Sequence, residues 1–86
     1  MNSGEAIMFD LKPELYNLIQ CRSPATKKDI MMAFNKFCNH HDLVDLVGNF
    51  ITVKMHKGLR ELFGVDFMEP HNLFKYINGL ITPFSV

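Results

Sequence analysis

The segment Thr26 to His40 carries more apolar surface than a helix in a small domain ordinarily buries. At about 100° per residue, Ala33, Phe37, Ile30, Phe34, Cys38 and Met31 follow one another across an arc of roughly 160°. A helix lying on a globular core needs an apolar stripe of about 100°. The surplus matters because the chain has only 86 residues. A domain near that size hides only roughly 60% of the surface its unfolded chain exposes, so its core is thin. The wheel predicts that the Ala33–Phe37–Ile30 edge faces the core and that the Phe34–Cys38–Met31 edge is left over. Met32 points away from both. Two readings of the spare edge stay open: another element of the same domain covers it, or it floors a groove for a partner's apolar face. Methionine suits such a groove because it is unbranched and adaptable.

The punctuation on either side of this helix is clear. Pro13 fits the first turn of a helix, where its missing N–H is not needed. Leu15, Leu18 and Ile19 then share one face of a short helix to about Gln20. Ser23-Pro24 breaks it, since the residue before a proline avoids helical geometry. Thr26 with Asp29 three residues on approximates a capping box for the long helix. Leu43 to Val47 reads as a short apolar turn or a single helical turn, closed by the turn signal Val47-Gly48-Asn49. Phe50-Ile51-Thr52-Val53 is rich in strand formers. A helix follows over His56 to Phe63, with Gly64 where a left-handed cap belongs. Pro70 opens a last helix carrying Leu73, Phe74, Ile77 and Leu80. Ile81 to Phe84 reads as a terminal strand, which Pro83 confines to a sheet edge. The expected fold is a mostly helical α+β domain of about four short helices with small β-strands. Residues 1–8 are expected to form a frayed tail and residues 9–86 a single domain.

Composition narrows the functional classes. Nine basic and nine acidic side chains cancel, which argues against sequence-independent nucleic-acid binding, a mode that needs a basic surplus. No apolar run is long enough to span a bilayer, and the opening residues lack the basic start and long apolar stretch of a secretory signal. Two cysteines, Cys21 and Cys38, are fewer than a disulfide-stapled domain usually carries and favour a reducing compartment.

Four blocks, in order from about Phe9 to Leu80, resemble the SWIB domain family. Leu11-Lys12-Pro13-Glu14-Leu15 resembles its L-x-P-E-L opening. Thr26 to Ile30, then Phe37-Cys38 and Asp42-Leu43-Val44-Asp45, resemble its second helix and exit. Phe50-Ile51 through Leu59-Arg60-Glu61-Leu62-Phe63-Gly64 resembles the segment ending in L-x-x-L-F-G. Two positions depart from the family: His56-Lys57-Gly58 stands where Asp is frequent, and Tyr76-Ile77 or Gly79-Leu80 where the last helix commonly ends in His-Leu.

SWIB domains share the fold of the amino-terminal domain of the Mdm ubiquitin ligase, a helical α+β module with a deep apolar cleft. The resemblance therefore implies a protein–protein module that holds an amphipathic helix of a transcription or chromatin-associated partner, in a nuclear setting and without a cofactor. It implies cleft positions at Met31, Phe34, Asn35 and Cys38 on the second helix and at Phe50 and Thr52 on the strand. Phe63 falls at the base, and Phe67, Leu73, Tyr76 and Ile77 on the far wall. The plain alternative for Phe34 and Phe63 is core packing. A Phe34 buried under its own chain with no groove beside it would count against the cleft.

Three rival chemistries are weaker. The candidate metal ligands Cys21, Cys38, His40, His41, His56 and His71 show neither C-x-x-C nor H-x-x-x-H spacing, and adjacent His40 and His41 point in different directions on a helix. Catalysis lacks a nucleophile elbow, a phosphate-binding loop or paired carboxylates, and an apolar setting raises a thiol's pKa. Direct nucleic-acid contact is the alternative function, through Arg22, Lys27, Lys28, Lys36, Lys54, Lys57 and Arg60. Lysines at a helix start more often only solvate it. Oligomeric state stays open, since a spare apolar face can equally pair with its own copy.

Overall fold

Helix starts and stops follow the local chemistry closely in the computed structural model, which describes residues 7–84. Helix α1 spans Pro13–Ile19, with Pro13 in its first turn and Gln20 in the left-handed region as its cap. Helix α2 spans Lys27–His40. Thr26 caps it reciprocally: the Asp29 N–H donates to Thr26 Oγ1 (3.1 Å) and the Thr26 N–H donates to the Asp29 carboxylate (3.4 Å). Helix α3 spans Lys57–Phe63 and ends at Gly64, whose φ of 73° lies where glycine carries no steric cost. Helix α4 is one short segment, Leu73–Ile77, set between 3₁₀ turns at Pro70–Asn72 and Asn78–Leu80.

The strands are short and depend on distant partners. Strand β1, Met8–Leu11, is the centre of a three-stranded antiparallel sheet. On one side Met8 and Phe9 pair with Thr26 and Ala25 of β2, Ala25–Thr26. On the other, Phe9, Asp10 and Leu11 face Pro83, Thr82 and Ile81 of β5, Ile81–Pro83. Pro83 thus sits on an edge strand, as its missing N–H requires. Sequence patterning places no strand before Pro13, because Met-Phe-Asp-Leu shows no alternation long enough to read. Met8 also accepts a hydrogen bond from the Phe84 N–H (2.8 Å), so it belongs to this sheet. The remainder of the expected tail, apart from Ile7, lies outside the described residues.

The segment expected as an apolar or helical turn at Leu43–Val47 instead forms a hairpin. Strand β3, Val44–Asp45, pairs with β4, Phe50–Ile51, in the register Val44 to Ile51 and Asp45 to Phe50. Asp45 makes the turn by accepting the N–H groups of Val47 and Gly48, both at 3.0 Å. At Gly48 an added Cβ would stand 2.2 Å from the Phe50 ring, so a larger residue there displaces that ring. The strand expected to reach Val53 stops after Ile51, where Val53–Met55 turns into a 3₁₀ segment. Ile51 bridges to Met68 on its free side.

The core gathers one face from every helix: Leu15 and Ile19 from α1, Ile30, Phe34, Phe37 and Cys38 from α2, Leu59 and Phe63 from α3, and Leu73 and Ile77 from α4. With 54% of the described residues in helices, 3₁₀ turns included, and with small antiparallel sheets, the domain is α+β and mostly helical. Among the described residues no helix is long and apolar enough to cross a membrane.

Candidate interaction surfaces around the second helix

Helix α2 buries the middle of its apolar arc and leaves both edges half-exposed. Phe37, Ile30, Phe34 and Cys38 are buried, and on the wheel they span about 100°, the width a surface helix ordinarily sinks into a core. Ala33 and Met31, at the two ends of the arc, are half-buried. The split expected from sequence, with one edge in the core and the other spare, is thus corrected. The surplus is divided between the flanks, and another part of the same domain covers Phe34 and Cys38.

Over Phe34 that cover comes from α3. Phe34 is 1% exposed. Its ring stacks on Phe63 (centroids 5.8 Å apart, planes within 6°), and Phe63 stacks in turn on Tyr76 (5.8 Å, 16°). The three rings form a file from α2 through α3 to α4, and only Tyr76 is appreciably exposed at its end. Stacked aromatic pairs of this kind contribute about 0.5–1.5 kcal/mol beyond the area they bury.

The eleven expected cleft residues therefore separate by depth. Phe34, Cys38, Phe63, Leu73 and Ile77 are buried by their own chain. A side chain with almost no exposed surface does not line an open cleft, so these five are core, and Phe34, buried under its own chain, counts against a deep cleft at that position. Met31, Phe50, Thr52 and Tyr76 are half-buried and Asn35 is exposed. Phe67 is 46% exposed. Phe67 meets Phe50 edge to face (5.3 Å) with the Lys54 ammonium 4.9 Å above its ring, forming a second aromatic cluster. Burial also decides the thiols. Desolvation pushes Cys38 up to about 12. Cys21 is raised by burial first and by Asp29 next, with Arg22 opposing. Both are free.

A third feature had only an indirect sequence signal. A groove of about 850 Å³ opens on the Ala33 edge, between the end of α1 and α2. Leu18, Cys21 and Arg22 face Met32, Ala33, Lys36 and Phe37 across it. Ala33, a small residue at the margin of the arc, and Met32, an apolar residue outside it, carried the signal. Reading Ala33 as core concealed it.

Histidines gather at the far end of α2. The His41 ring lies 4.5 Å from Phe37, 4.7 Å from His56 and 5.0 Å from His40. The divergence expected of adjacent residues on a helix does not apply, because His41 is the cap and has left helical geometry. Desolvation, then His56, then His40, hold the His41 pKa below its ordinary value. His56 is itself a cap, its Nδ1 accepting the Leu59 N–H at 3.2 Å. No three His, Cys, Asp or Glu side chains among the described residues are grouped to hold a metal ion.

Several candidate basic residues are engaged locally. Lys27 lies over the rings of Phe9 (5.7 Å) and Phe74 (5.3 Å), and Arg60 pairs with Asp66 at 2.6 Å. Compared with known proteins, the chain matches no family model and no curated protein.

Proposed function

We propose that the chain is a SWIB-like protein-interaction module that docks an amphipathic helix of a transcription or chromatin-associated partner, in a nuclear setting. The observation that carries this reading is the aromatic file ending at Tyr76. A half-exposed tyrosine held by stacking offers a large, rigid contact at small entropic cost, the kind of residue that anchors interfaces. Met31 and Asn35, one turn apart on α2, supply an adaptable apolar contact and a polar rim. Phe50, Thr52 and Phe67 supply the second contact. Phe34, Cys38, Phe63, Leu73 and Ile77 act as the packed floor that fixes the outer residues in place.

Docking on this surface is shallow. The partner presents large apolar side chains at about i, i+3 or i+4, and i+7, which pack on the exposed parts of Met31, Tyr76 and the Phe50–Phe67 pair. The nucleic-acid alternative draws no support from Lys27, Lys54 and Arg60, each of which is held by its own domain.

The test is selection from a displayed peptide library on the wild type beside Met31→Glu and Tyr76→Ala variants. Phe34→Glu is unsuitable, because it would bury an unpaired carboxylate and unfold the domain. Helically spaced aromatic and aliphatic anchors that lose binding in both variants are expected. Anchors indifferent to both substitutions would overturn the reading.

A further inference from the structure

The groove between α1 and α2 lies on the opposite edge of α2 from Met31 and has a charge pattern of its own. Its α2 wall is a stripe of Asp29, Met32, Ala33, Lys36, Phe37 and His40, spaced as one face of a helix. At about 1.5 Å per residue the stripe runs roughly 16 Å, or three turns. Leu18, Ala33 and Phe37 make the floor apolar, and Met32 stands 60% exposed beside it.

A long cation rises from each wall, Arg22 on one side and Lys36 on the other, and both are exposed. The ion pairs among the described residues are Arg60–Asp66 and His71–Glu69, so neither groove cation has a described carboxylate within 4.0 Å. The acid in the lining, Asp29, is engaged in the α2 capping box. That hydrogen bond leaves its negative charge in place, so the lining holds two cations and one carboxylate, a net positive charge carried by Arg22 and Lys36 on the two sides of an apolar floor.

We propose that this groove docks a second amphipathic helix, one from a partner protein that carries acidic side chains on both flanks of its apolar stripe. Three turns of such a helix match the length of the wall. Its apolar residues cover Leu18, Met32, Ala33 and Phe37, and its acids meet Arg22 and Lys36. A helix with basic flanks is repelled on both sides, so charge sets the choice of partner. A small molecule fits poorly, because the half-open trough cannot enclose it. An extended segment fits poorly too, since the α2 wall offers its backbone no strand edge and Gln20 to Arg22, past the end of α1, form no strand.

The test uses the full chain and a displayed library of amphipathic helices with randomised flanks. Selection is run on the wild type and on an R22E/K36E double variant, and amide shifts map where the clones bind. Acidic flanks are expected to enrich on the wild type and basic flanks on the variant. The acidic clones should lose about tenfold in affinity on the variant, the scale of two exposed charge contacts replaced by repulsion. Shifts should centre on Leu18, Ala33 and Lys36. Clones without acidic enrichment, shifts centred on Met31 and Tyr76, or no enriched clone at all would overturn the proposal. So would a self-association of the wild type that R22E/K36E abolishes, which would assign the groove to a second copy of the chain. Met31→Glu should leave the acidic clones bound, so the outcome here is independent of the Tyr76 surface.

Discussion

Replacing Phe34 by alanine tests most directly whether this residue is core or cleft. The ring is 1% exposed and stacked on Phe63, so its loss removes both transfer energy and a stacking partner and leaves a cavity beneath α3. Buried Phe→Ala changes cost about 3–5 kcal/mol. An 86-residue domain has a total stability of roughly 4–13 kcal/mol at about 0.05–0.15 kcal/mol per residue. The substitution thus takes a large share of what holds the chain folded. In urea, with m of about 1.5 kcal/mol/M, a loss of about 4 kcal/mol lowers the unfolding midpoint by roughly 2.7 M. The control is Tyr76→Ala, at the exposed end of the same file. It forfeits mainly the stack on Phe63, about 0.5–1.5 kcal/mol, together with part of the area its ring covers. Equilibrium urea melts followed by circular dichroism measure both. A Phe34→Ala change of less than about 1 kcal/mol would refute the core assignment, because no buried phenyl ring is removed so cheaply. A Tyr76→Ala loss as large as that of Phe34→Ala would refute the picture of a file anchored inside and open outside.

Thr26→Ala removes the Oγ1 acceptor of the Asp29 N–H and should cost about 1 kcal/mol in the same assay, while Asp29→Glu should restore or keep most of the cap. In the native protein Cys21 should react with a maleimide far ahead of Cys38, whose thiol is buried and pushed up to about 12; equal rates would show that α2 opens readily. Stability should also fall in mild acid. His41 has a folded pKa below its ordinary value of 6.5, so the unfolded chain binds more protons, and its contribution is present above that value and lost as pH falls toward the lower folded one. A urea midpoint unchanged between pH 7.5 and pH 5.5 in the wild type would contradict this effect.

Local chemistry was legible from the sequence wherever neighbours along the chain make the structure. Pro13, the Thr26–Asp29 box, Gly64 and Pro83 mark their boundaries through backbone geometry or hydrogen bonds that reach only a few residues. The period of apolar residues likewise identified α2 as over-supplied. What the sequence could not decide is which part of that 160° arc meets the rest of the chain. The buried stretch is set by where α3 arrives, bringing Phe63, itself backed by Tyr76 of α4, against Phe34. For the same reason β1 went unread, since its partners at Ala25–Thr26 and Ile81–Pro83 are distant in sequence. Val44–Asp45 likewise became a strand only through its pairing with β4. Apolar pattern states that a face must be covered, a local property of residue spacing. The identity of the covering element is a matter of non-local packing, and it alone placed Phe34 in the core, Tyr76 at the surface, and the open groove on the Ala33 edge of α2.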